Sequence, residues 1–154
     1  MVTSYADFTG EVQHRISADN RAEAVRTVRA VLETLGERIS EGGATDVASP
    51  LPMEVDRYLL QVEHGHTYDY QEFVDRVAMR LNYEDLDLET AYGTPAPVDR
   101  ADVVYRVKAV VDLLDEVVPG EGLANVEQQL PAEFEDLFEF VHVETKPWEA
   151  ETGS

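Results

Sequence analysis

NRAEAVRTVRAVLETLGERIS, residues 20–40, is echoed 79 positions later by DRADVVYRVKAVVDLLDEVVP, residues 99–119. Arg21-Ala22 recurs as Arg100-Ala101, Val25 as Val104, Val28 as Val107, Ala30-Val31 as Ala109-Val110, Leu35 as Leu114 and Glu37 as Glu116. The echo continues outward. Gly43 matches Gly122, Val47 matches Val126, and Leu51-Pro52-Met53-Glu54 matches Leu130-Pro131-Ala132-Glu133. On the N-terminal side, Phe8, Val12, Arg15 and Ile16 match Phe73, Val77, Arg80 and Leu81 at an offset of 65. Self-similarity at a long period marks stacked supersecondary units that bury their apolar faces on each other. The two offsets differ by 14 residues, which places an insertion in the second copy, near Asn82–Pro95.

The apolar period within each copy is 3.6, so the units are expected to be helices. Tyr5, Phe8, Val12 and Ile16 share one helical face, and Val25, Val28, Leu32, Leu35 and Ile39 form the stripe of a longer helix. Asn20 is placed to cap that helix, with Glu23 three residues on. Gly42-Gly43 is expected to stop it. A short helix around 44–48 leads to Ser49-Pro50-Leu51-Pro52, where a further helix is expected to start and to run to about Val62. In the second copy Tyr70, Phe73, Val74, Val77 and Leu81 form the first face, and Val104, Val107, Val111, Leu114 and Val118 the long stripe. Asp99 stands at the cap and Pro119-Gly120 at the stop, with a short helix over 121–128 and a last one carrying Phe134, Leu137, Phe138 and Val141. The expected layout is an all-α bundle: one repeat over 1–63, a linker over 64–69, a second repeat over 70–143 and a flexible tail over 144–154, including Trp148.

Composition narrows the functional classes. The chain has 154 residues, with 32 acids against 12 bases and a formal net charge of −20. Such a field repels phosphate backbones and anionic membranes, so neither nucleic acid nor membrane is an expected partner. It suits a protein kept soluble in strong salt, where the Debye length falls to about 3 Å and the acids barely repel one another. Cysteine is absent, which excludes disulfides, thiol catalysis and thiolate metal sites, and fits a cytoplasmic protein. The N-terminus shows no basic region followed by an apolar core, as a signal peptide would.

The combined pattern resembles the prokaryotic family called domain of unknown function 2267. The residues that carry the resemblance are Phe8-x-x-x-Val12 with Arg15, the run Ala30 to Ile39, and Leu51-Pro52 in the first copy. In the second they are Glu72-Phe73-Val74-x-Arg76-Val77, Lys108-Ala109-Val110-x-x-Leu113-Leu114 and Gln128-Gln129-Leu130-Pro131. The resemblance spans nearly all of 5–141 and implies an all-helical tandem architecture. The family is uncharacterised, so the resemblance implies no catalytic residue or cofactor.

Two sets of residues stand out as candidate sites. Glu63-His64-Gly65-His66, with Asp69 close by, offers two imidazoles and carboxylates of the kind that bind Zn²⁺ or Ni²⁺, making His64, His66 and Asp69 the candidate metal ligands. Arg15 and Arg80, and Arg21 and Arg100, are matched pairs that could line an anion or partner site. Other fragments fail on chemistry. His142-Val143-Glu144 starts a zinc-deaminase signature that needs cysteines. The acidic run 84–89 lacks the glycine of a calcium loop, and neither Gly42-Gly43 nor Gly120-Glu121-Gly122 is followed by Gly-Lys-Ser/Thr. No nucleophile–base pairing or cofactor motif is present, so no cofactor is expected. The expected role is an interaction or regulatory module with a protein partner or a second copy. The alternative is a small-ligand or divalent-metal protein working from a groove between the repeats or from the His64/His66 linker.

Overall fold

Ser4 accepts a hydrogen bond from the Asp7 N–H and opens the first helix, α1 (Tyr5–Ile16). Ser17, in the left-handed region at φ 54°, closes it. Asn20 then accepts from the Glu23 N–H at 2.9 Å and opens α2 (Arg21–Arg38). The remaining elements are α3 (Glu41–Ala48), α4 (Val55–Leu60), α5 (Tyr70–Tyr83), α6 (Arg100–Val117), α7 (Gly122–Gln129), a 3-10 helix (Ala132–Phe138) and α8 (Glu139–His142). This computed structural model describes residues 4–83, 99–118, 122–143 and 146–148. Among them all regular structure is helical, as the 3.6-residue period predicts. The expected insertion near 82–95, apart from 82–83 at the end of α5, lies outside the described residues, as do the expected stop at Pro119-Gly120 and the acidic run 84–89.

Both long helices have 18 residues, and α6 begins and ends 79 positions after α2. They form the centre. α1 packs on both, and so does α5. One continuous apolar cluster results, drawing Phe8, Val28, Leu32 and Leu59 from the first half and Phe73, Val107, Leu114 and Phe134 from the second. Truncating a fully buried leucine such as Leu32 to Ala should cost about 2–5 kcal/mol, because the void it leaves is only partly refilled.

Several local expectations are corrected. Gly42-Gly43 does not stop α2. The helix ends at Arg38, where buried Ile39 turns to an extended conformation, and Ser40 caps α3 through the Gly43 N–H at 3.1 Å. Both glycines therefore sit inside the first turn of α3. The capping box at α2 is only half made, because the Glu23 carboxylate goes to Arg106 across the bundle at 2.6 Å. Asp99 occupies the cap position of α6 but its side chain makes no capping bond. α4 is shorter than expected, since Leu51 to Glu54 form a turn before it. The last segment winds first as a 3-10 helix. Finally, Trp148 of the expected loose tail is 6 % exposed and packs edge-on against Phe140.

Candidate functional site

Arg15, on α1, is 4 % exposed. Its Nε donates to Glu11 at 2.7 Å, its Nη1 to Asp112 at 2.9 Å and its Nη2 to Glu116 at 2.5 Å. Asp112 and Glu116 belong to α6. Arg80, on α5, donates to Glu37 at 2.8 Å and Thr34 at 2.7 Å and lies 3.5 Å from Glu33, all on α2. Glu33 and Asp112 are 79 residues apart, as are Glu37 and Glu116, while Arg15 and Arg80 are 65 apart. The first helix of each half thus reaches into the long helix of the other, and the two exchanges are reciprocal, as across an isologous interface. Arg106 donates to Thr27 at 3.0 Å, and these two positions are themselves 79 apart, so α2 and α6 meet at equivalent points.

Each exchange is covered by the segment that follows one half. Over Arg80, the Tyr68 hydroxyl donates to the Thr34 carbonyl at 2.7 Å, and the Arg76 guanidinium stacks 4.1 Å over the Tyr68 ring while its Nη1 lies 3.4 Å from Glu37. Over Arg15, the Trp148 ring lies 4.4 Å from the guanidinium carbon, and Lys146 donates to Asp112 at 3.0 Å and to the Phe140 carbonyl. Burial acts against the Arg15 cation, but the Glu11 hydrogen bond and the Glu116 charge outweigh it and raise its pKa. Burial likewise acts against the Glu37 carboxylate, yet the Arg80 hydrogen bond and the charges of Arg80 and Arg76 hold it below the usual carboxylate range.

Arg21 and Arg100 act as surface staples. Arg21 donates to the Ala6 carbonyl at 3.2 Å and to Gln13 at 3.1 Å; Arg100 donates to Gln71 through its side chain at 2.6 Å and its carbonyl at 3.4 Å, and pairs with Asp75. Ala6 and Gln71 are again 65 apart. The four arginines are held by four different sets of partners. Carboxylates supply the counter-charge of Arg15 and Arg80 from within the fold.

The His-Gly-His linker is fastened to the end of α2. A ring nitrogen of His64 lies 2.9 Å from the Gly36 carbonyl, the Gly65 N–H donates to Ile39, and the His66 N–H donates to Glu37, each at 2.9 Å. Gly65 has φ +85°, which the turn between the two histidines uses. His66 lies 3.4 Å from Glu63, while Asp69 accepts from the Glu72 N–H at 2.8 Å at the start of α5. Among the described residues no group of three or more His, Asp or Glu side chains is placed to hold a metal ion.

What these fastenings create is a groove of about 700 Å³, bounded by the α2–α3 turn, the end of α4 and the linker. Ser40, Glu41, Leu60, Val62, Glu63 and His64 line it. A second hollow of about 480 Å³ lies at the start of α1, against Met53 and Glu54. Met53, Leu60 and Met79 are the exposed large apolar side chains among the described residues, at 76, 42 and 60 %. Sequence reasoning missed the acceptors Glu33, Asp112 and Thr34 and the covers Tyr68 and Trp148. Glu33 and Asp112 carry the same offset as the rest of the repeat, so reading acids along with apolar residues would have found them.

Among the described residues no helix is long and apolar enough to cross a membrane. No curated protein matches the chain. The model of the family described as "Uncharacterized conserved protein (DUF2267)" matches residues 5–137, which takes in both long helices, both reciprocal ion clusters and the groove, and the chain belongs to that family.

Proposed function

We propose that this chain is a non-enzymatic cytoplasmic interaction or regulatory module of a salt-adapted cell. One observation carries the reading: the buried charged groups, which are where chemistry would be sought, are engaged in holding the two halves together. Arg15 is engaged by Glu11, Asp112 and Glu116, and Arg80 by Thr34, Glu33 and Glu37. Perturbed titratable groups in a cleft suggest catalysis, but structural ion-pair networks perturb pKa values in the same way. Here Arg15 and Glu37, the perturbed members of these networks, lie in the scaffold. The surface instead offers shallow grooves beside exposed Met53 and Leu60.

The test is purification of the full chain from native extract in strong salt, with mass analysis of what travels with it. A protein at fixed stoichiometry, or a self-associated form on sedimentation, is the expected result. A small molecule at fixed stoichiometry would favour the second reading, a small-ligand or divalent-metal protein. That reading draws on His64 and Glu63 facing one groove with Glu41. Titration with Zn²⁺ and Ni²⁺ addresses it directly: micromolar binding lost in the His64→Ala, His66→Ala double variant would replace the first reading with the second.

Salt adaptation has its own test. A net charge of −20 makes the compact state self-repelling at low ionic strength. Surface ion pairs return only about 0–1 kcal/mol each. Raising salt from about 0.1 to 1 M shortens the Debye length from about 10 to 3 Å. The melting temperature should rise steeply over that range, and a salt-independent melt would count against adaptation to salt.

A further inference from the structure

We propose that the groove between the α2–α3 turn, the end of α4 and the linker is the docking site for a partner segment that carries an apolar side chain flanked by lysines or arginines. This rests on the reading of the chain as an interaction module and names the surface and the chemistry it would recognise.

The walls are built rather than incidental. α4 lies so close to α2 that a Cβ on Gly36 would stand 2.5 Å from the Leu59 carbonyl oxygen. That approach buries Leu59 completely and leaves its neighbour Leu60 at the groove, 42 % exposed. The opposite wall is fixed by the bonds from His64, Gly65 and His66 to the carbonyls of Gly36, Ile39 and Glu37. A site held this way loses little conformational freedom on binding.

The lining then selects the occupant. Leu60 and Val62 are the apolar members of the lining of this open groove of about 700 Å³. Glu41 and Glu63 also line it and are both exposed, the Glu63 side chain at 90 %. No lysine or arginine is among the lining residues. These acids do not converge with a histidine into a cluster able to hold one metal ion among the described residues. Two exposed carboxylates beside two apolar side chains complement cations flanking an apolar side chain. In strong salt the long-range part of the attraction is screened, so the apolar contact supplies the affinity and the acids set orientation.

The experiment uses the full chain, isotopically labelled, titrated with two probe peptides of equal length and charge, one alternating lysine and leucine, the other lysine and serine. Amide shifts should concentrate at residues 40–41 and 60–65. The lysine–leucine peptide should bind at least about tenfold tighter than the lysine–serine one, a difference of 1.4 kcal/mol. Leu60→Ser and Glu63→Gln should each weaken it, while Met79→Ser, at an exposed methionine on α5, should not. Glu63 is so exposed that its substitution keeps the test valid even if Leu60→Ser perturbs the fold. Equal binding of the two peptides, no binding of either, or no effect of both groove variants would overturn the groove as the site. Shifts gathered at Met53 or Met79 would also overturn it, while leaving the interaction-module reading standing. Zn²⁺ binding in the groove, with loss of peptide competition, would overturn both.

Discussion

The two reciprocal ion clusters are built on one plan and differ in how tightly they are closed. At their centres, Arg15 and Asp112 are 4 and 2 % exposed against 18 and 11 % for Arg80 and Glu33, whereas the outer acids run the other way, with Glu116 at 51 % and Glu37 at 15 %. The cover makes the difference. Trp148 and Lys146 close the Arg15 cluster with a flat indole and a second cation on Asp112, while Tyr68 and Arg76 close the Arg80 cluster from its edge. Equivalent placement in the repeat therefore does not mean equal consequence. A charge left alone where water is excluded costs far more than one left where water can reach it.

The largest expected effect tests this directly. Arg15→Ala leaves Asp112 buried with Lys146 beside it but without the guanidinium, and should destabilise the fold by about 3–5 kcal/mol. Arg80→Ala should cost about 1–3 kcal/mol, because water can partly replace the guanidinium at Glu33 and Glu37. Denaturant unfolding of both variants at one salt concentration gives the two numbers. A larger loss for Arg80 than for Arg15 would break the comparison.

The second contrast lies along the long helices. Gly36 on α2 and Asp115 on α6 are 79 residues apart, but Gly36 lies under the α4 backbone whereas Asp115 is exposed. Gly36→Ala drives a methyl into the Leu59 carbonyl and should cost about 1–3 kcal/mol, as overpacking does. Asp115 is exposed, and Asp115→Ala should stay within about 0.5 kcal/mol of the parent protein. Similar losses at the two positions would mean that α4 yields easily and that the groove wall is not fixed.

How much of this was legible follows from what each signal depends on. Helix type and the core stripes are local: Val28, Leu32, Val107 and Leu114 declare themselves by period, and all four are buried. The Ser40 start of α3 was missed because Gly42-Gly43 also reads as a helix stop, and the choice depended on where Ile39 could be buried. The 3-10 winding after Pro131 was missed for a similar reason, since Phe134, Leu137 and Phe138 fit either helix when taken alone. The arginines were visible as repeated positions, but their partners lie up to 101 residues away and only the fold brings them within reach. Trp148 near the chain end carried no periodic signal at all. Its place depends on the Arg15 face being there to receive it.

A third contrast separates the two Leu-Pro turns, and its members should move in opposite directions. Glu54 has φ 81°, a conformation that costs a non-glycine residue about 1–3 kcal/mol. Its counterpart Glu133 accepts from the Tyr70 N–H at 2.9 Å and helps start α5. Glu54→Gly should stabilise the protein by about 1 kcal/mol, the relief of strain being partly offset by the freedom glycine adds to the unfolded chain. Glu133→Gly should destabilise it by about 1 kcal/mol, as loss of a capping acceptor does. Melts of the two variants that shift the same way would remove the distinction between the turns.

The smallest effect concerns acid, and its sign follows from Glu37 in the more open cluster. Arg80 and Arg76 hold its carboxyl below the ordinary range against the cost of burial, so the folded state binds the proton more weakly than the unfolded chain does. The unfolded carboxyl titrates near its ordinary value of about 4.3. Above that value the charged form is present in both states, and the Glu37 contribution to stability is complete. As pH falls through the ordinary value and on through the lowered folded one, the unfolded chain takes up the proton first and the contribution is lost. The chain carries 31 further acids, so the bare pH profile of the protein cannot isolate this one. The difference between the parent protein and Glu37→Gln can. At pH 7 the variant should be the less stable of the two, and the gap should narrow as the pH drops below about 4.3. Denaturant melts at about 1 M salt keep self-repulsion from dominating the measurement. A gap that stays constant into acid, or widens, would mean that Glu37 acts through packing rather than through its charge on Arg80.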